Sequence, residues 1–190
     1  TLEGGRSFDS PGELTVEGDW SNGAFFLAAK ALGSDVTVKN LSTTSAQGDR
    51  MAAELLPGLR NFLTIDAADI PDLVPILAIT AAANQGAKFT GIARLRLKES
   101  DRVASVVEML QNLGGRAVAD ENVLTVFGTG MRGGRVDAKN DHRIAMSAAI
   151  AATVCREPVT ILGAQCVSKS YPQFFEEYRK LGGSYEQYLR

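Results

Sequence analysis

The sequence predicts an α/β domain with a three-fold internal repeat and helices buried at its centre. Three observations lead there. Strand-like and helix-like patterns alternate along the chain, aspartates recur at matching strand-to-helix junctions, and two helical stretches, "AFFLAAKAL" and "IAMSAAIAATV", are apolar almost all round. A helix without a polar face is stable only inside a core.

The first round runs from the alternating stretch "ELTVEGD" (13–19) into the helix "SNGAFFLAAKAL" (21–32), with Ser21 near its cap. A second strand, "SDVTVKNL" (34–41), and a second helix, "GDRMAAELL" (48–56), complete it. The order then restarts with "FLTIDAADI", "PDLVPILAITAAAN", "AKFTGIARLRL" and the helix "SDRVASVVEMLQNL". "GRAVAD" and "NVLTVFG" follow as a hairpin, with Glu121 and Asn122 at the turn. The third round reads "GRVDAKND", "HRIAMSAAIAATV", "PVTILGAQCV" and "PQFFEEYRKL".

Superposed, the rounds place Asp19, Asp69 and Asp141 at equivalent junctions. Asp49-Arg50 and Asp101-Arg102 open equivalent helices, and Gly114 and Gly182 end two equivalent helices as left-handed residues. The repeats span roughly 13–60, 61–128 and 134–190 within one domain of 190 residues. Round one is short: after Leu56 the chain passes straight into "PGLRNFLTIDAAD", with no room for a hairpin. Two readings fit, a hairpin lost from this round and residues absent between about Leu55 and Arg60.

Composition narrows the function. A net charge of -2 offers no general field for nucleic acid, and no apolar run reaches a membrane span. The opening "TLEGGRSFDSPGE" has no signal-peptide core. Cys155 and Cys166 form no CxxC pair, and with His142 the single histidine a zinc site is not expected. Two thiols in such a chain suit a reducing, cytoplasmic setting.

The stretch "LRLKESDRVAS" (95–105) loads a helix entrance with Arg96, Lys98, Glu99, Asp101 and Arg102. Helix N-termini attract anions, and repeats could aim several at one cleft. Arg102, Arg143 and Lys169 come from separate elements in analogous positions; two arginines suit a carboxylate and a phosphate, and a lysine adds a point charge. Glu99, beside Lys98, suits proton transfer. Each also has a structural reading: a solvated helix entrance, a surface lysine at 169, a backbone-bonded His142. On chemistry alone Asp72, after Pro71, is a first-turn acid complementing the helix dipole.

"LRLKESDR" (95–102), "NDHRIAM" (140–146) and "SKSYPQFF" (168–175) resemble the signatures of the 5-enolpyruvylshikimate-3-phosphate synthase family, and "VEGDWSNGAFFLAA" and "ADIPDLVPILA" resemble its intervening segments in the same order. The resemblance implies an enolpyruvyl transferase-type lobe of βαβαββ units with pseudo-three-fold symmetry. It implies transfer of the enolpyruvyl group of phosphoenolpyruvate to the 5-hydroxyl of shikimate 3-phosphate with release of phosphate, without metal or organic cofactor. Carried over, Arg102, Arg143 and Lys169 would bind phosphoenolpyruvate, Glu99 would exchange a proton with its methylene carbon, and Lys98 would contact the shikimate phosphoester side. Asp72 would face the 5-hydroxyl as base candidate and anchor, and His142 would sit beside the site without a firm role. The family enzyme has two lobes, and this chain resembles the C-terminal one, so the N-terminal lobe becomes a required partner. The six residues should line one exposed face, with Asp72 at its edge. A non-catalytic anion-binding or scaffold module keeping the repeat is the alternative. UDP-N-acetylglucosamine enolpyruvyl transferases and RNA 3'-phosphate cyclases share the architecture, and the Lys-Glu-Ser-Asp-Arg run disfavours both.

Overall fold

The computed structural model describes residues 4, 5, 7, 9, 10 and 12–188; the rest of the opening stretch and the last two residues of the third repeat lie outside the described residues. Round two forms in full. β1 (Leu63–Asp66), α3 (Val74–Ala83), β2 (Gly86–Thr90), α4 (Arg102–Asn112), β3 (Arg116–Ala119) and β4 (Val123–Phe127) follow one another. β1 and β2 pair in parallel, β2 pairs antiparallel with β4, and β3 closes the order β1-β2-β4-β3. The β3–β4 turn is the expected one: Asp120 and Val123 bond across Glu121 and Asn122, and the Asp120 carboxylate accepts from two turn amides. Round three supplies β5 (Gly134–Asp137), α5 (His142–Ala152), β6 (Val159–Leu162) and α6 (Phe174–Lys180), with β5 and β6 parallel.

Round one departs from expectation. It yields α1 (Trp20–Ala31) and α2 (Ala52–Gly58), but neither 13–19 nor 34–41 forms a strand. A single backbone bond, Gly18 N–H to Asn40 O, joins the two stretches. Asn40 is left-handed (φ 64°) and a Cβ on Gly18 would collide with its carbonyl, so the ladder cannot continue. No hairpin follows α2, which turns directly through Leu59–Asn61 into β1.

Two strand readings ran too far. β2 and β6 end at left-handed glycines, Gly91 (φ 67°) and Gly163 (φ 70°), which open 3₁₀ turns over Ile92–Leu97 and Ala164–Lys169. Both turns deliver a lysine, Lys98 and Lys169, to the same side of the helices. The repeated aspartates also part company. Asp19 and Asp141 cap α1 and α5 by accepting from Asn22 N–H and Arg143 N–H, whereas Asp69 is exposed and α3 starts later, after a turn through Pro71–Leu73. Ser21 is in the first turn of α1 rather than its cap.

α1, α3 and α5 pack on one another at the centre. α3 is buried from Val74 to Ala82 and α5 from His142 to Ala151; α4 buries one face through Val103, Val106, Met109 and Leu110. Gly114 and Gly182 have the left-handed conformation expected of helix stops. Cys155 and Cys166 are free thiols, and burial pushes the Cys166 thiol up to about 11. Between rounds two and three the backbone runs against its neighbours: a Cβ on Gly128 would collide with the Asn84 carbonyl, and one on Gly134 with the Asn112 carbonyl. α6 is held by Phe174, fully buried, whose ring meets Phe25 and Phe26 of α1 at centroid distances of 6.2 and 5.7 Å. Phe174→Ala should therefore lower stability by about 3–5 kcal/mol in urea unfolding; a loss within about 0.5 kcal/mol would mean that α6 contributes little to the core.

Candidate functional site

The N-terminal ends of α1 and α5, the turn before α3 and the loop before α4 converge. At their centre lies Arg102, fully buried in the first turn of α4. Its Nε–H donates to Asp141 Oδ2 (2.9 Å), its Nη1–H to Asp72 Oδ1 (2.7 Å), and its Nη2–H to Glu99 Oε2 and, more weakly, to Asp141 Oδ1 (3.4 Å). Asp141 is itself fully buried, caps α5 through Arg143 N–H (2.9 Å), and accepts from Ser100 Oγ–H (3.1 Å). A charge this deep is tolerable only when every donor finds an acceptor.

Asp72 collects three cations. Besides Arg102 it takes Lys98 Nζ at 3.1 Å and Arg143 Nη2 at 3.1 Å. Burial would raise its pKa, but the Arg143 charge and the bonds from Arg102 and Lys98 outweigh this and hold the carboxyl below the usual range. Asp72 is thus the hub of the cluster, not its edge and not a first-turn acid.

The expectation of an exposed row of cations is likewise corrected. Arg102 is 0% exposed and Arg143 8%. The reason is that three carboxylates of the same chain surround Arg102, so its charge is compensated from within. Glu99 is the most open member of the cluster, with a side chain 40% exposed. Lys169 is exposed and donates to the Asn140 carbonyl (2.8 Å), which ties it to the entrance of α5. Arg102, Arg143 and Lys98 meet on Asp72, whereas Lys169, expected to act with the two arginines, stands apart on the Asn140 carbonyl.

Among the described residues five buried side-chain atoms lack partners, and two of them, Arg143 Nη1 and His142 Nδ1, lie at the entrance of α5. Burial, helped by the Arg143 charge, pushes the His142 pKa down, so its imidazole is neutral near pH 7. Asp49 was not foreseen as a site residue. It is buried, accepts a hydrogen bond from Ser21, and is pushed up by burial, with the charges of Asp72 and Asp19 adding to the effect. The only sequence signal was the Asp-Arg repeat, and it misled: in round two the arginine is buried and the aspartate caps, while in round one Asp49 is buried and Arg50 is exposed. A 3₁₀ turn over Gly48–Met51 shifts the helix phase there.

The arrangement offers ammonium and guanidinium donors at the start of α5, one ionised carboxylate and one more open carboxyl. That is equipment for gripping an anion and moving a proton beside it. Among the described residues no group of three His, Cys, Asp or Glu side chains is placed to hold a metal ion. A cavity of about 360 Å³ lies at the other ends of the same helices, between Leu32, Asn84, Arg132 and Arg156. It contains no acid or histidine, so the site belongs to the Arg102 cluster.

The model of one family, EPSP synthase (3-phosphoshikimate 1-carboxyvinyltransferase), matches residues 1–59 and 57–178. The chain belongs to the EPSP synthase family. The two matched segments meet where round one is short. The chain is 42% identical over 190 aligned residues to the 3-phosphoshikimate 1-carboxyvinyltransferase of Clostridium acetobutylicum, which covers 91% of this chain and 44% of that protein. The Clostridium kluyveri 3-phosphoshikimate 1-carboxyvinyltransferase is 37% identical over 195 residues, covering 93% of this chain and 46% of that protein. The structure of EPSP synthase from Acinetobacter baumannii superposes with a TM-score of 0.79 at 26% identity, covering 89% of this chain and 47% of that one. The chain thus spans about half the length of the curated EPSP synthase relatives it matches.

Two measurements test the electrostatics. Arg102→Ala leaves Asp72, Glu99 and Asp141 facing one another and should cost about 3–5 kcal/mol at pH 7. The loss should shrink only as pH falls well below about 4. Asp72, with its depressed folded pKa, contributes stability that is present above its unfolded value of about 3.9 and is lost as pH falls through the folded value. A urea-measured loss that does not change with pH would refute the carboxylate account. His142, also depressed, contributes stability that is present above about 6.5 and lost below it. Between pH 8 and pH 5 the melting temperature of His142→Gln should therefore fall less than that of the parent chain, and parallel falls would exclude a buried neutral imidazole.

Proposed function

We propose that this chain is the C-terminal-type lobe of a two-lobed 3-phosphoshikimate 1-carboxyvinyltransferase, folded as three rounds over roughly 13–60, 61–128 and 134–190. The reaction is transfer of the enolpyruvyl group from phosphoenolpyruvate to the 5-hydroxyl of shikimate 3-phosphate. The observation that carries this reading is the convergence of Lys98, Arg102 and Arg143 on Asp72, with Glu99 open beside them.

In this reading Arg143 and Lys169 take the carboxylate and phosphate of phosphoenolpyruvate. The unpartnered Nη1 of Arg143 supports its part, since a buried guanidinium N–H gains most from a charged acceptor. Arg102 joins them as its acids turn to substrate, and Lys98 meets the shikimate phosphoester side. Asp72, kept ionised, faces the 5-hydroxyl and draws its proton as the oxygen attacks C2 of the enolpyruvate. Glu99 gives a proton to the methylene carbon, forming a tetrahedral adduct. It takes a proton back as the C–O bond to phosphate breaks and the double bond returns. The Glu99 proton is returned and the hydroxyl proton leaves Asp72 with the released phosphate, while the second lobe completes the shikimate 3-phosphate site and excludes water.

One observation favours the second reading, a non-catalytic scaffold: Arg102 is fully buried, as in a structural ion cluster. Phosphate release separates the two. The lobe alone, with both substrates saturating, should show no turnover. Arg102 and Arg143 are already engaged by the chain's own carboxylates, and a contact to exposed Lys169 is worth only about 1 kcal/mol at 4 Å in water, which does not offset the lost freedom of a small ligand. Joined to its N-terminal lobe, the protein should release phosphate with shikimate 3-phosphate as acceptor and not with UDP-N-acetylglucosamine. Glu99→Gln should then lower turnover by about 10²–10⁴-fold, whereas Arg143→Ala should mainly raise the KM for phosphoenolpyruvate. A two-lobed protein that folds and releases no phosphate with either acceptor would favour the scaffold.

A further inference from the structure

The loop that carries Lys98 and Glu99 is held in an unusual way. Its residues 98–100 belong to no helix or strand, and among the described residues their backbone makes no backbone hydrogen bond. It is fixed by side chains alone. Lys98 reaches Asp72, Glu99 reaches Arg102, and Ser100 donates its hydroxyl to Asp141 Oδ2 at 3.1 Å while accepting from Ser105 Oγ at 3.0 Å.

The first two contacts are made by the groups that must act on substrate. A lysine that turns to an anion loosens its hold on Asp72, and a glutamate that moves a proton loosens its hold on Arg102. Once they let go, Ser100 is the remaining side-chain tie between residues 98–100 and the rest of the lobe. Its acceptor is well suited to the task. Asp141 is fully buried, takes Arg102 Nε at 2.9 Å on the same oxygen, and through its other oxygen caps α5 at Arg143 N–H. The Ser100 hydroxyl therefore joins the acid-bearing loop to the helix that presents His142 and Arg143.

We propose that Ser100 is a positioning residue for the reaction, holding Glu99 in register with the entrance of α5 during the steps in which Lys98 and Glu99 are engaged with substrate. The inference rests on the enolpyruvyl-transfer reading of this site. It requires Ser100 to act on the chemical step rather than on binding or on the fold, because its hydroxyl is engaged by Asp141 and Ser105 and the ion cluster holds the fold without it.

Two measurements test it. In the two-lobed protein, Ser100→Ala should lower kcat by about 10–100-fold, the scale of a misplacement approaching 1 Å. The KM for phosphoenolpyruvate should stay within about threefold and the melting temperature should hold, and Ser100→Thr, which keeps the hydroxyl, should restore most of kcat. In the 190-residue chain carrying Lys98→Met and Glu99→Gln, which releases the two ion pairs, ¹⁵N relaxation should give the amides of residues 98–101 order parameters near about 0.85, falling below about 0.6 when Ser100→Ala is added. Unchanged kcat in Ser100→Ala, failure of Ser100→Thr to rescue, or equal losses in kcat and melting temperature would each overturn the proposal. If the unmutated two-lobed protein shows no turnover, it is the enolpyruvyl-transfer reading that fails. The relaxation data then decide the anchoring by themselves, and unchanged order parameters would overturn it.

Discussion

A guanidinium cannot lose its water without finding acceptors, and Arg102 finds them on three different elements. Asp72 comes from the turn before α3, Glu99 from the loop before α4 and Asp141 from the cap of α5. The lobe's geometry at this end follows from that requirement. The Arg102–Asp72 contact brings the α3 turn to α4, and the Arg102–Asp141 contact brings α5 to both. Lys98 and Arg143 then neutralise what remains on Asp72. Removing the central cation would leave acids with no reason to meet, which is why the cluster depends on Arg102 more than Arg102 depends on any one acid.

Much of this was legible in the sequence, and what was not has physical causes. The burial of helices α1 and α5 was readable because an all-round apolar pattern has only one stable location, while α3 was read only as the helix of its round. Lys98, Glu99, Arg102 and Arg143 could be grouped from topology and from motif resemblance. The central place of Asp72 could not. Its partners Arg102 and Arg143 come from other elements, and a sequence displays charges without their acceptors. For the same reason Arg102 read as an exposed ligand-binding side chain when it is the most enclosed one. Asp49 was hidden by a phase shift of a single 3₁₀ turn, and Ser100 by having no charge to attract notice.

The strand errors have a common origin. Alternation predicts extended backbone, but a strand exists only where a neighbour completes its hydrogen bonds. β1 and β2 have each other, and β4 and β3 extend their sheet. In round one the hairpin is missing and Asn40 turns left-handed, so the stretch holding Leu14 and Val16 stays outside any ladder with those side chains 77% and 85% exposed. At the other ends of β2 and β6, a glycine ended the strand where side-chain pattern alone would have continued it.

The glycines at 128 and 134 have a mechanical consequence. Where backbone lies directly on backbone, no side chain is left to swing aside or repack, and the strip joining round two to round three has no slack for a hinge. Asn84 and Asn112, whose carbonyls it rests on, follow α3 and end α4, so the Gly134–Asn112 approach ties round three to round two while the Gly128–Asn84 approach tightens round two itself. The two rounds are therefore closely fitted at this seam. Compliance at the working end is confined to side chains and to the few residues before α4 that lack backbone bonds, and an effector or a substitution could change the site's shape there without deforming the frame that carries it.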